Sequence, residues 1–256
     1  MEENEINNNQ AEYNQASTEE MNLELNENKG PKEVFSFNWI AFALGVAFWY
    51  WWYEGNVDWF FYIYLAIVVL IHELGHVIIG TSFGCRIQVM QVFFIPFLTY
   101  RPKQVPEGGW WRNIVWSLGI LPLGGITVFS TRGDGNIGDK PAWQRLLISA
   151  AGVLFNFATF LILYIAMQFM SRGGNEILMP LASVSLILGI LNIIPIYPLD
   201  GGAIMFALFE IITGRKPSPK FTMIFGRIGF LFIIIFFWFF PEWLNRILDI
   251  VFGALF

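Results

Sequence analysis

The chain has 256 residues, of which 55% are apolar and only 14% are charged, with a formal net charge of −5. A soluble globular domain carries roughly 25% charged residues, so this composition excludes an ordinary soluble domain and indicates an integral membrane protein. The single cysteine, Cys85, excludes an intramolecular disulfide. We expect contacts with lipid, and no nucleic-acid partner.

The first 33 residues differ from the rest in charge. They hold nine glutamates against two lysines and contain almost no aromatic or β-branched residues. Such a segment cannot bury enough apolar surface to offset its ordering entropy, so residues 1–33 are predicted to be a disordered acidic tail. The tail lacks the basic start and short apolar core of a secretory signal.

Five apolar stretches reach the length of about 20 residues that a membrane-spanning helix needs. They are residues 34–53, 59–80, 146–170, 177–199 and 221–240. The last residues, 241–256, are short and amphipathic, which favours an interfacial segment. The predicted fold is an all-α polytopic membrane protein with five to six transmembrane helices.

Basic residues set the predicted orientation. They concentrate in the segments 81–145 and 213–220, whereas the opposite connections hold only Arg172. By the positive-inside rule both basic connections are cytoplasmic, and the N-terminus is then cytoplasmic as well. Two further apolar stretches, 87–100 and 113–130, carry Pro96, Pro122 and a glycine pair. We expect them to form strands or a β-hairpin-like loop that re-enters the membrane edge after the second helix, because non-helical backbone at that depth must be covered by protein or line a wet cavity.

Both histidines of the chain stand in one string, His72-Glu73-Leu74-Gly75-His76, at the end of the second stretch. On a helix this H-E-x-x-H pattern places two imidazoles on one face, where they can hold zinc, with the glutamate beside them as a candidate base. Ionisable residues inside a membrane segment are costly and by default indicate a functional site.

Catalytic zinc usually has three protein ligands and one position for water, so the third ligand must be a carboxylate or Cys85. Asp200 is the best candidate, because it follows 23 uncharged residues. Pro195 and Pro198 lie shortly before it, and Gly201 and Gly202 directly after it. These breakers allow it to leave the helical register and turn inward. His72, His76 and Asp200 are therefore the predicted zinc ligands, and Glu73 the predicted catalytic base that moves the proton of the zinc-bound water.

The two motifs together resemble the site-2 protease family of intramembrane zinc metalloproteases. The resemblance is carried by His72-Glu73-x-x-His76 and by Asn192-x-x-Pro195-x-x-Pro198-Leu-Asp200-Gly201, with further likeness at residues 121–125 and in Gly152-x-x-x-Asn156. It is nearest to the bacterial regulator of sigma-E protease branch. The chain departs from that branch because the connection of residues 171–180 is too short for the PDZ domain that usually lies there.

The resemblance implies a protease core at residues 57–240. The first predicted helix, residues 34–53, lies outside this core as an accessory transmembrane helix, and the interfacial segment 241–256 follows it. It implies that the re-entrant strands, with Gly124 and Gly125, align an extended substrate, and that Asn192 and Asn156 help to hold it. The implied substrate is a transmembrane segment of another protein, cut near the cytoplasmic face. The implied location is a cell membrane, in a bacterium the cytoplasmic one.

Two other functions remain open at this point. A membrane metal-binding or scaffold protein would keep the ligands without cleaving, but it would have no need of Glu73 as a base. A zinc transporter would need ionisable residues along a path through the bilayer, and the uncharged stretches 146–170 and 177–199 provide none.

Overall fold

The computed structural model describes residues 34–52, 59–103, 113–170, 172–233 and 235. The predicted acidic tail and the interfacial segment 241–256 lie outside the described residues. In chain order, the elements are β1 Val34–Phe37, α1 Trp39–Trp52, α2 Trp59–Ser82, β2 Ile87–Arg101, β3 Val115–Phe129, a short 3₁₀ turn Ile137–Asp139, α3 Ala142–Met167, α4 Arg172–Ile193, α5 Asp200–Thr213, and a helix at residues 219–233 that we call α6.

Three of the described helices are long and apolar enough to cross a membrane, namely Trp59–Ser82, Ala142–Met167 and Glu176–Ile193. They correspond to three of the five predicted stretches. The fold is therefore that of a mostly helical membrane protein. The full number of spans stays a prediction, because part of the last stretch lies outside the described residues.

The first predicted helix differs from the structure. Residues expected to begin a span at Val34 form a strand, and helix α1 starts only at Trp39, after the Asn38 side chain accepts a hydrogen bond from Ala41 N at 3.0 Å. With 14 residues, α1 is about 21 Å long, shorter than a hydrocarbon layer of about 30 Å. Asparagine is a preferred helix N-cap, and this local preference divides the apolar stretch.

The fourth stretch also ends earlier than expected. Helix α4 stops at Ile193 instead of continuing to Leu199, because Pro195 disfavours helical backbone in the residue before it. The next six residues are irregular, and α5 begins at Asp200.

A three-stranded antiparallel sheet of order β1-β2-β3 corrects the all-α assignment, although strands had been expected in two of its segments. The long strands are bent, so that Met90 of β2 pairs with both Trp116 and Thr127 of β3. Residues Phe93 and Ile95 at the bend of β2 have φ values of 65° and 56°. The bend brings the last part of β3, residues 125–129, to an edge of the sheet.

Helix α2 packs against this sheet through a buried apolar cluster of Val77, Ile87, Met90 and Ile114, with Trp116 and Phe129 partly buried beside it. On its other side α2 packs closely on α3, where a Cβ at Gly75 would lie 2.9 Å from the Ala151 carbonyl oxygen. Small residues at helix crossings permit such close approach in membranes. The histidine-bearing turn of α2 is thereby enclosed between the sheet and α3.

Candidate metal centre

His72, Glu73 and His76 occupy the buried middle of α2. Their exposed fractions are 5%, 4% and 7%. The four-residue spacing places both histidines on the same helical face, and their Nε2 atoms are 3.3 Å apart. The imidazoles thus converge on one point.

Asp200 reaches that point from a part of the chain distant in sequence. It is the first residue of α5, and the irregular residues 194–199 before it allow the chain to turn inward. Gly201 and Gly202 are needed at this turn, because a Cβ would come within 2.2 Å of Ile194 O at the first and 2.4 Å of Tyr197 N at the second. The Asp200 Oδ2 atom lies 3.0 Å from His72 Nε2 and 3.3 Å from His76 Nε2.

The hydrogen bond on the far side of the His76 ring determines what its Nε2 presents to this centre. His76 Nδ1 lies 2.8 Å from the Ile148 carbonyl oxygen, which can only accept, so Nδ1 carries the proton. In the neutral ring Nε2 is then a bare lone pair that faces the carboxylate oxygen of Asp200. Two such acceptors at 3.3 Å repel each other unless a cation lies between them.

Asn156 of α3 contacts the other histidine, His72. It is fully buried, and its amide nitrogen lies 3.0 Å from His72 Nδ1. Its Oδ1 has no hydrogen-bond partner. A half-turn about χ2 exchanges the amide O and N, and His72 Nδ1–H then donates to Asn156 Oδ1. A metal-binding histidine generally donates its other ring N–H in this way.

The three converging atoms fit zinc. A tetrahedral zinc with ligand distances of about 2.0–2.2 Å requires neighbouring ligand atoms to be about 3.3–3.6 Å apart, and the observed separations are 3.0, 3.3 and 3.3 Å. The Asp200 Oδ2 atom is buried and accepts no hydrogen bond. Gly152 of α3 leaves the space free, because a Cβ there would lie 2.5 Å from both Nε2 atoms.

The last part of β3 contacts Glu73. Thr127 Oγ1 donates a hydrogen bond of 2.6 Å to Glu73 Oε2. Gly125, two residues earlier, faces the same carboxylate, and a Cβ at this position would lie 2.5 Å from Oε1. Gly124 is different, since it has a φ of +114° and its missing side chain leaves open space.

Cys85 is not part of the cluster of His72, His76 and Asp200, and the side-chain hydrogen bond of Asn192 goes to the backbone of its own helix. Asn192 is half-buried at the end of α4, where its side chain donates to Leu188 O at 3.0 Å. Cys85 is buried beyond the end of α2, and burial raises the pKa of its thiol, an effect that the nearby Lys140 ammonium opposes. Among the described residues, the three-ligand group that includes these histidines takes Asp200 and not Cys85.

Sequence reasoning did not assign roles to Thr127, Gly152 or the carbonyl of Ile148. Thr127 had a usable signal, because side chains at alternate positions of a strand share a face and Gly125 was already a candidate. Gly152 belongs to the Gly152-x-x-x-Asn156 motif, but the sequence alone does not show why a glycine is needed there. The carbonyl of Ile148 has no signal in any residue identity, since only the approach of α3 to α2 places it beside His76.

Comparison with known sequences identifies a family. Residues 60–175 and 168–236 match the sequence profile of peptidase family M50. A zinc metalloprotease of Methanocaldococcus jannaschii is 27% identical over 178 residues, which cover 68% of this chain and 42% of that protein. The metalloprotease MmpA of Caulobacter vibrioides is 28% identical over 142 residues, covering 44% of this chain and 33% of that protein.

Comparison with solved structures supports the fold. The site-2 protease from Methanocaldococcus jannaschii superposes with a TM-score of 0.50 at 24% identity, covering 86% of this chain and 89% of that one. The chain spans less than half the length of the two curated relatives described above.

Proposed function

This chain belongs to peptidase family M50, and we propose from that premise that it is a zinc endopeptidase acting on membrane proteins. The observation that carries the proposal is the convergence of His72, His76 and Asp200 at 3.0–3.3 Å beside a buried glutamate. A zinc transporter would not require Glu73 next to the ligands. The family and the names of the relatives add weight to the same conclusion.

The residues divide the work of peptide hydrolysis. His72, His76 and Asp200 would hold the ion through Nε2, Nε2 and Oδ2. Zinc bound there would lower the pKa of a coordinated water toward about 7 and polarise the peptide carbonyl. Glu73 accepts a proton from the attacking water on its carboxylate and later donates it to the leaving amine nitrogen, as a general base and then a general acid.

The substrate that suits this site is a transmembrane segment in extended form. Residues 125–128 of β3 pair with β2 on one side and, among the described residues, with no strand on the other. An extended peptide can add to such an edge by main-chain hydrogen bonds. We place Gly124, with the open space beside it, and Asn192 among the residues that contact this peptide, and the cut near the cytoplasmic face.

The proposal includes a division of the chain into parts and an orientation in the membrane. Residues 57–240 would be the protease core in a multi-pass cell-membrane protein, residues 34–53 an accessory element on the sheet, and the acidic N-terminus would be cytoplasmic. The contact of α1 with the sheet supports the accessory role, because Trp49 Nε1 donates to Ile120 O at 3.0 Å.

Modification of single cysteines introduced into the tail of a Cys85→Ala protein, in intact cells and in inverted membranes, tests the orientation. Labelling of the tail in intact cells would contradict a cytoplasmic N-terminus.

The decisive experiment compares membrane proteins from cells that produce the unaltered protein or its Glu73→Gln variant. Single-span proteins should accumulate uncut with the variant, while purified variant retains zinc, since the ligands are intact. Glu176→Gln, which neutralises an exposed glutamate on α4, is the matched control and should process normally. Unchanged processing with Glu73→Gln would instead identify a metal-binding protein that does not cleave.

A further inference from the structure

The hydrogen bond between β3 and Glu73 assigns a role to a residue outside the motifs. We propose that Thr127 is a positioning residue, which holds the carboxylate of the catalytic base through its hydroxyl. The assignment of a catalytic base rests on the proposed function, whereas the contact itself can be tested without it.

The contact is short and directed at one oxygen. Thr127 Oγ1 lies 2.6 Å from Glu73 Oε2, a distance typical of a hydrogen bond from a hydroxyl to an ionised carboxylate. The Glu73 side chain is only 4% exposed, so bulk water cannot replace this donor. Loss of the hydroxyl would leave a buried carboxylate oxygen without that bond, which is costly.

Gly125 closes the same side of the carboxylate. A Cβ at Gly125 would stand 2.5 Å from Glu73 Oε1 and 2.6 Å from Glu73 Cγ, so the strand backbone itself lies against the side chain. Positions 125 and 127 share one face of β3 because side chains alternate along a strand. The strand therefore limits rotation of the carboxylate by a hydrogen bond to Oε2 and by close contact beside Oε1.

This arrangement suits a base that must accept and return a proton. A glutamate has three rotatable bonds, and a misplaced carboxylate cannot reach the attacking water within hydrogen-bond distance. With Oε2 bound to Thr127, Oε1 remains to take the proton. The donor is also part of the sheet edge proposed to pair with substrate, so the base and the peptide would share one support.

The test uses the full-length protein in detergent with a fluorescein-labelled peptide of one transmembrane segment as the probe. Thr127→Val keeps the shape of the side chain but removes the hydroxyl. We expect kcat to fall about 10- to 100-fold, a part of what general base catalysis contributes, with KM and zinc content unchanged. Thr127→Ser, which restores a hydroxyl, should recover most of the rate.

A matched control lies in the same sheet. Thr99 Oγ1 is 3.2 Å from Ser117 Oγ, so Thr99→Val removes a hydroxyl contact that does not involve Glu73, and its kcat should equal that of the unaltered protein. Full activity of Thr127→Val, or a loss found only in KM or zinc content, would overturn the proposal.

A double-mutant cycle separates this proposal from the proposed function. Thr127→Val should lower the Tm by about 2–4 °C in the unaltered protein and have no effect when Glu73 is already alanine. Equal shifts in both backgrounds would show that the two side chains are not coupled and would refute the assignment. If the transmembrane peptide is not cut at all, the proposed function loses this support while the cycle still decides the role of Thr127.

Discussion

At the scale of single residues, each histidine of the metal centre has its ring held by a hydrogen bond on the side away from Asp200. Ile148 O fixes the His76 ring at 2.8 Å, and the Asn156 amide fixes the His72 ring at 3.0 Å. These partners lie on α3, not on the helix that carries the histidines. Both rings are therefore turned toward Asp200 by groups of α3, as outer partners of metal-binding histidines commonly do.

Asn156 was expected to contact substrate, and its position motivates a different experiment. Asn156→Leu removes the group that pairs with His72 Nδ1 and should weaken zinc affinity about 10- to 100-fold, the usual effect of losing such an outer partner. Competition with a chelator of known zinc affinity measures this. Asn192→Ala, which changes an amide bonded to Leu188 O, is the control and should leave zinc affinity unchanged. Equal zinc affinity in Asn156→Leu and the unaltered protein would contradict the positioning of His72.

At the scale of elements, α5 makes polar contacts with other helices near both of its ends. Its first residue is the proposed ligand, and near its last turn Glu210 forms an ion pair with Arg145 of α3. The two side chains are 15% and 23% exposed, so water screens the pair only in part. Beyond this pair, α5 ends at Gly214, which has a φ of 67° and closes the helix with a left-handed residue.

The Arg145–Glu210 pair predicts a stability effect at a distance from the metal. Glu210→Gln leaves Arg145 without its charged partner and should lower the free energy of unfolding by about 1–3 kcal/mol, as for a hydrogen bond to a charged group. Thermal unfolding followed by circular dichroism in detergent measures it. An exchange of the two charges, Arg145→Glu with Glu210→Arg, should recover part of the loss. If Glu210→Gln unfolds at the same temperature as the unaltered protein, the pair does not anchor α5.

At the scale of the whole molecule, the centre joins parts of the chain that are far apart in sequence. His72 and His76 belong to α2, the fixing groups to α3, and Asp200 to α5, while β3 covers Glu73. A bound ion is then a cross-link between α2 and α5. A ligand that binds only the folded state stabilises it in proportion to the logarithm of its concentration over its dissociation constant.

Metal removal should therefore destabilise the whole protein. Dialysis against a zinc chelator is expected to lower the Tm, and restored zinc should raise it again by several degrees. At a free zinc concentration 100 times the dissociation constant, binding adds about 2.7 kcal/mol to the free energy of unfolding. Asp200→Ala is the reference, because a site with only two imidazoles should show a much smaller response. A Tm that does not change on chelation and zinc addition would argue against an ion that joins α2 and α5.

Much of the centre could be read from residue identities and spacing. The His72–His76 spacing predicts a shared helical face, and the Pro195-to-Gly202 segment predicts a break that frees Asp200; α4 and α5 do end and begin around it. The start of α1 at Trp39 had a local signal in Asn38, a preferred helix N-cap. The strand before it could not be predicted, because hydropathy does not distinguish a strand from a helix in the apolar residues 34–37. The pairing of Phe35 with Tyr100 decided it.

The sequence by itself determined a membrane chain, two imidazoles on one face, a glutamate between them and a single plausible distant carboxylate, because local spacing and hydropathy act within each segment. Only the tertiary structure decided which groups surround those four side chains. The Ile148 carbonyl, the space left by Gly152 and the Thr127 hydroxyl reach the centre through the packing of α3 and β3 on α2. Such contacts depend on distances between segments, which no residue type encodes locally.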